Sequence, residues 1–261
     1  MVARSFAQLI TLAVVVTCPA GATAPLQTLP VDSSIIGIRL IGPSDPEFNA
    51  AVMRIPSLNL QHAFLPYSVI VANDSGQQLL SLTVRFEVTN PAGRVSSFLD
   101  TIVWDGLSKP VSNPGSETII TLPELRRSPP GAPPSENLWP AEDVAYVTAS
   151  VDLVIYADGS APGPNTGNTF ARTSSRLRAI LDVCNGVQQA GSSGMIAYLT
   201  ALASNRVSPP GPFDPDEYAF YSYEKARSFL GMSKFGRVDM IATYCSKATQ
   251  SIPALLASLH R

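Results

Sequence analysis

The chain has 261 residues, a net charge of −2 and only 15% charged residues. With no basic stripe to meet a phosphate backbone, this composition argues against nucleic-acid binding. The length is sufficient for one or two domains with a real hydrophobic core.

The first element in chain order is an export signal. Arg4 supplies a positive charge, Leu9 to Val16 is an apolar run, and Pro19 to Ala24 is a small-residue stretch. That order matches a secretory signal peptide, with cleavage expected after Ala22 and residues 1–22 removed. A cut after Ala24 would place Pro25 directly beyond the scissile bond. The apolar run falls short of the roughly 20 residues of a membrane-spanning helix. The expected product is a secreted or periplasmic protein with no transmembrane span. Cys18 stands where a lipid anchor could be attached, but Val16-Thr17 precede it instead of a small residue, so it is taken as part of the discarded leader.

From residue 31 to 158 the pattern is that of strands. Candidates are Ser34 to Ile41, Tyr67 to Ala72, Leu80 to Val88, Val95 to Trp104, Ser116 to Leu122 and Val144 to Tyr156. The clearest places Leu80, Leu82, Val84, Phe86 and Val88 on a core face. Ser81, Thr83, Arg85, Glu87 and Thr89 then point to solvent. In the last strand, Ala145, Val147, Ala149, Val151, Leu153 and Ile155 share one face. Asn73-Asp-Ser-Gly76 and Asn90-Pro-Ala-Gly93 supply turns. Asn73-Asp74-Ser75 also matches a glycosylation sequon, here taken as a turn first. Strands joined by turns with no helical period between them predict an α+β protein. Its first part is expected to be an antiparallel β-sandwich of immunoglobulin-like architecture, followed by a C-terminal helical region.

Residues 123–143 form a long proline-rich loop containing Arg126, Arg127 and Trp139. Long loops of this kind are often functional, so these three residues are candidate partner contacts. The plainer reading is an exposed connector whose Trp139 folds back.

Asp158 to Thr169, rich in Gly, Pro and Asn, marks the passage to a helical region at 170–261. Helices are expected at Phe170–Ala190 and Met195–Ala203, with Gly191-Ser-Ser-Gly194 capping between them. A third runs from Pro215 to Leu230 and stops at Gly231. A fourth runs from about Gly236 to Leu259, with a kink expected at Pro253. Cys184 and Cys245 lie on the apolar faces of the first and fourth. An even cysteine count in an oxidising compartment predicts a disulfide between them. Closing so long a loop would add roughly 4 kcal/mol.

No catalytic, cofactor-binding or metal constellation emerges. Asp214-Pro-Asp-Glu217 has the oxygen ligands of a cation site. It is better explained as Asp214 capping, Pro215 in the first turn and Glu217 closing a capping box. Asp152 and Asp158 are too far apart along a strand for paired-carboxylate catalysis. His62 and His260 are the only histidines, and no G-x-S-x-G elbow accompanies them. The aromatics of Tyr218-Ala-Phe-Tyr-Ser-Tyr223 fit a helix core before a sugar platform. The leading functional reading is an exported, non-enzymatic binding or envelope-associated protein whose partner is an extracellular protein or glycan. The alternative is a secreted hydrolase using carboxylates or His62.

Overall fold

A computed structural model describes residues 27–60, 65–103, 110–122, 144–211 and 214–260. It is a mixed α+β structure with the strands first and most of the helix at the C-terminal end. In order, the elements are β1 (Thr28–Pro30), β2 (Ile38–Ile41), α1 (Phe48–Arg54), α2 (Ser57–Leu60), β3 (Ser68–Asn73), β4 (Leu79–Thr89), β5 (Val95–Val103), β6 (Glu117–Thr121), β7 (Tyr146–Tyr156), α3 (Thr169–Ser204), α4 (Tyr218–Lys234) and α5 (Val238–Ser258). The strands form two open sheets, β1-β7-β4-β5 and β2-β3-β6. All pairings are antiparallel except that of β1 with β7. No helix among the described residues is long and apolar enough to cross a membrane.

Buried side chains of both sheets meet in one cluster. Val69, Val71 and Ile120 come from the smaller sheet, and Leu82, Val84, Phe86, Val147 and Ala149 from the larger. The other face of the smaller sheet is covered by α1. Phe48 and Ala51 pack on Ile41, Ile70 and Ile119. Arg54 on α1 pairs with Glu117 on β6, fixing that helix across the sheet. The short segments β1 and α1 are absent from the sequence reading, because three and seven residues carry too little periodicity to register.

Two irregularities in β4 and β7 correct the strict alternation expected from sequence. Pairing slips between Leu79 and Ser81 and again between Thr83 and Val84, where Leu153 and Val151 are the successive partners and Asp152 is the extra residue. A bulge reverses which face each later side chain takes. Val147, Ala149 and Val151 therefore join the inter-sheet cluster, as do Val154 and Tyr156 beyond the bulge. Leu153 and Ile155 turn to the opposite face, with Ala161, Phe170 and Leu259. Leu80 likewise leaves the strand core and packs among the helices. That face of β4 is not solvent: Ser81, Thr83 and Thr89 are buried. Ser81 donates to the Ile102 carbonyl, and the Thr83 and Thr101 hydroxyls bond to each other.

The edge of β7 is closed by its own flanking chain. Val31 N–H bonds to Ala149 on the β1 side, and residues 160–165 return beside the C-terminal half through Tyr156 N–H to Ser160 O, Val154 N–H to Pro162 O and Asn165 N–H to Asp152 O. An edge covered in this way cannot pair with another chain. The bulged Asp152 anchors the returning segment. Its carboxylate accepts from Thr166 N–H at 2.9 Å, the Thr166 hydroxyl at 2.5 Å and Gly167 N–H at 3.2 Å. Removing three charge-assisted bonds at a site 2% exposed is expected to cost about 3 kcal/mol in Asp152→Ala. Denaturant unfolding with an unchanged m-value would show it. Asp158→Ala, in an exposed turn, should fall within about 0.5–1 kcal/mol of wild type. Equal losses at the two positions would dismiss the anchoring role.

The helical region has its own core, from Leu177, Ile180, Val183 and Cys184 on α3, Ala226 and Phe229 on α4, and Ile241, Cys245 and Ile252 on α5. Within α3, Gly191 takes φ 62 and ψ −178, a conformation effectively restricted to glycine, and divides the element into two helices there. This agrees with the break expected at Gly191-Ser-Ser-Gly194. The end of α4 differs from expectation: Gly231 stays within the helix and Gly236 stops it. Gly236 has φ 72, and Arg237 N–H reaches the Met232 carbonyl while Gly236 N–H reaches that of Ser233. This is the Schellman pattern.

Candidate functional site

The most deeply buried ion pairs among the described residues lie where α3 and α4 begin. Arg172 and Arg176 are one turn apart on α3, hence on one face. Glu217, the residue before α4, points between them. Arg172 donates to its Oε1 from Nε at 2.9 Å and from an Nη at 2.7 Å. Arg176 Nε donates to Oε2, and the Arg176 guanidinium lies 4.5 Å from the centre of the Tyr221 ring. Glu217 is 2% exposed. Both carboxylate oxygens of Glu217 and both guanidiniums are engaged within this triad, which positions α4.

This arrangement corrects the expected cap. Helix α4 begins at Tyr218, and Glu217 makes no side-chain cap bond. The Arg pair draws its carboxylate inward instead. Capping passes to Asp216, whose Oδ1 accepts from Tyr218 N–H at 2.9 Å and from the Ser175 hydroxyl at 2.9 Å. The Tyr218 N–H and then the Ser175 hydroxyl hold the Asp216 carboxyl below the usual carboxylate range, so it is charged at neutral pH. Asp214 accepts from Asp216 N–H in a turn ahead of the helix. No group of three or more His, Cys, Asp or Glu suited to a metal ion occurs among the described residues.

Beside the triad is an open cleft of about 540 Å³, lined by Phe170, Ser174, Ser175 and Arg178 from α3 and by Pro215, Asp216 and Tyr218. Arg178 is exposed and makes no ion pair or hydrogen bond among the described residues. Its neighbours are already engaged: Ser174 donates to the Phe170 carbonyl, Ser175 to Asp216 and the Tyr218 hydroxyl to Asp182 at 2.8 Å. The cleft therefore presents one open cation, with the Asp216 carboxylate in the same lining, between apolar and aromatic walls. Sequence reasoning missed Arg172, Arg176 and Arg178. Their spacing of four and two residues was a usable signal, since it puts the first two on one helix face and turns the third away.

The remaining candidates separate clearly. Cys184 and Cys245 come together: both are buried free thiols, within 2.7 Å of each other across α3 and α5. Their mutual hydrogen bond pushes Cys184 up and holds Cys245 down. Asp152 and Asp158 are not brought together as an acid–base pair, since Asp152 holds the 166–167 backbone and Asp158 accepts from Ser160 N–H and hydroxyl. Asn73 is fully buried and its side-chain amide donates to the Gln77 carbonyl at 2.8 Å, so the folded chain offers no acceptor at that sequon. Tyr221 and Phe220 are both half-buried and meet edge to face. His260 is tied by its backbone N–H to the Gly159 carbonyl. Cys18, His62, Arg126, Arg127 and Trp139 lie outside the described residues.

Comparison of the chain with protein-family models, curated proteins and solved structures finds no match.

Proposed function

We propose that the protein is exported through residues 1–22 and acts by binding, taking a carboxylate-bearing extracellular ligand in the cleft at Arg178. The observation that carries this reading is the one open guanidinium in a cleft whose hydroxyl groups are already paired. A guanidinium matches a carboxylate in a two-pronged geometry, and Phe170, Pro215 and Tyr218 supply apolar contact for the rest of the ligand. The commitment of Asp152, Asp158, Asp216 and Glu217 to structural hydrogen bonds favours binding over carboxylate catalysis. The proposal extends to an immunoglobulin-like sandwich for the strand region, supported by the cluster that joins both sheets.

Equilibrium binding to an acidic polysaccharide and to a neutral one of similar length tests the reading. The acidic polymer should bind and the neutral one should not. Arg178→Ala should weaken binding about tenfold or more, the effect of losing one charge-assisted contact, with stability within about 0.5 kcal/mol of wild type. Asp216→Asn keeps the capping oxygen and removes a negative charge, so it should tighten binding. Equal affinity for both polymers, or an Arg178→Ala variant that binds normally, would exclude the cleft as the site.

A further inference from the structure

Helices α3 and α5 meet through two cysteines within a core of apolar side chains. Cys184 and Cys245 are both 0% exposed and surrounded by Ile180, Val187, Ile241 and Ala248 in the same cluster. They approach to 2.7 Å. Nearby, Lys225 on α4 donates to the Tyr244 hydroxyl at 2.9 Å and stands over the Tyr244 ring at 4.6 Å. Three helices therefore converge on the pair. A disulfide requires two sulfurs at close range, and this packing brings the two cysteines to 2.7 Å.

We infer that Cys184 and Cys245 are a modification site that becomes an intramolecular disulfide during folding, clamping α3 to α5. The inference rests on the export reading for its oxidant, a protein or small-molecule disulfide in the receiving compartment. One cysteine thiolate attacks a sulfur of the donor disulfide, and the donor's other sulfur leaves as a thiolate. The second cysteine then attacks the mixed disulfide and expels the remaining donor sulfur. One sulfur–sulfur bond is lost from the donor and one is formed in the chain. Two electrons reduce the donor, and the two cysteine protons end on its two thiols.

Full burial sets the timing. No donor reaches either sulfur once α3, α4 and α5 are packed, so exchange takes place before the helices close, and the finished bond is shielded from reductants. The clamp also reaches the strands. The end of α5 is bonded to the turn after β7, where His260 N–H meets the Gly159 carbonyl. Fixing α5 to α3 thus fixes the helical set relative to the larger sheet.

The test has two arms. In the first, the full chain is expressed with its own N-terminal segment and denatured without reduction. Free thiols are then alkylated and the intact mass is measured. The expected product begins at Thr23 and carries no alkyl group. In the second, the purified chain is reduced, unfolded and refolded in a mixture of reduced and oxidised glutathione. It should emerge with the internal bridge, without glutathione adducts, and with a higher denaturation midpoint than the reduced chain or the Cys184→Ala/Cys245→Ala variant. A product starting at Thr23 with two alkylated cysteines would overturn the disulfide and leave export standing. A full-length product would overturn export, and the refolding arm would then decide the disulfide alone: a bridge supports it, while free or glutathione-capped thiols refute it.

Discussion

Gly159→Ala is expected to destabilise the protein by about 3 kcal/mol. Roughly 1–2 kcal/mol comes from forcing a side chain into a left-handed backbone, and a similar amount from overpacking. Gly159 has φ 90, and a Cβ there would collide with the Ser258 backbone carbonyl at the end of α5. That obstacle is main chain, so it cannot yield by a rotamer change. The same contact includes the His260 N–H bond to Gly159 O and the Ser160–His260 bridge. The substitution should therefore loosen the docking of α5 on the turn after β7 as well as lower global stability. Denaturant unfolding would give the free energy, and amide exchange at Leu259 and His260 the local effect. A midpoint within about 0.5 kcal/mol of wild type, with those amides still protected, would mean that α5 is not seated on the turn.

Glu217→Ala should have the largest effect of any single substitution, a loss of about 3–5 kcal/mol, because it leaves two arginines without their buried counter-charge. Arg172 and Arg176 side chains are each 11% exposed, so water cannot readily replace the carboxylate. The loss should fall well below this when all three are changed together, Arg172→Met, Arg176→Met and Glu217→Leu, since no unpaired charge then remains. This non-additivity distinguishes an uncompensated buried charge from a simple deficit of packing. If Glu217→Ala and the triple variant unfold at the same denaturant concentration, the triad adds no electrostatic stability. Expression of Glu217→Ala as an insoluble chain would be consistent with the expected loss, and Glu217→Gln, which keeps the shape and one acceptor oxygen, provides a milder substitution for measurement.

Neither position could be ranked from sequence. Gly159 follows an aspartate and looks like any turn glycine. Only the arrival of Ser258, 99 positions later, makes its missing Cβ necessary. Glu217 belongs to Asp-Pro-Asp-Glu, a local pattern that favours a helix start, and a local reading assigns it a capping role. The arginines that take its carboxylate are more than 40 residues away, and Asp216 inherits the capping. Leu153 and Ile155 show the same limit. Period-two alternation holds as far as Val151, then the bulge at Asp152 reverses the faces. A bulge is decided by what the partner strand and the returning chain need, and it leaves no periodic trace.

What the sequence by itself determined is the local conformation of the longer elements. The apolar alternation of β4, the turn residues at Asn73 and Asn90, the change to a helical period after Thr169 and the break at Gly191 all follow from propensities acting over a few residues. The convergence of Cys184 and Cys245 was also legible, because each sits on an apolar helix stripe and such stripes bury together. The tertiary structure alone decided which sheets the strands joined and which faces Leu80, Leu153 and Ile155 took. It also decided that Glu217 is buried and that Arg178 lines the cleft with no ion pair among the described residues. Those outcomes depend on contacts between residues far apart in the chain, whose energies are comparable to or larger than the local preferences they override. Periodicity reports the environment of a residue's neighbours in sequence, whereas burial and charge pairing report its neighbours in space.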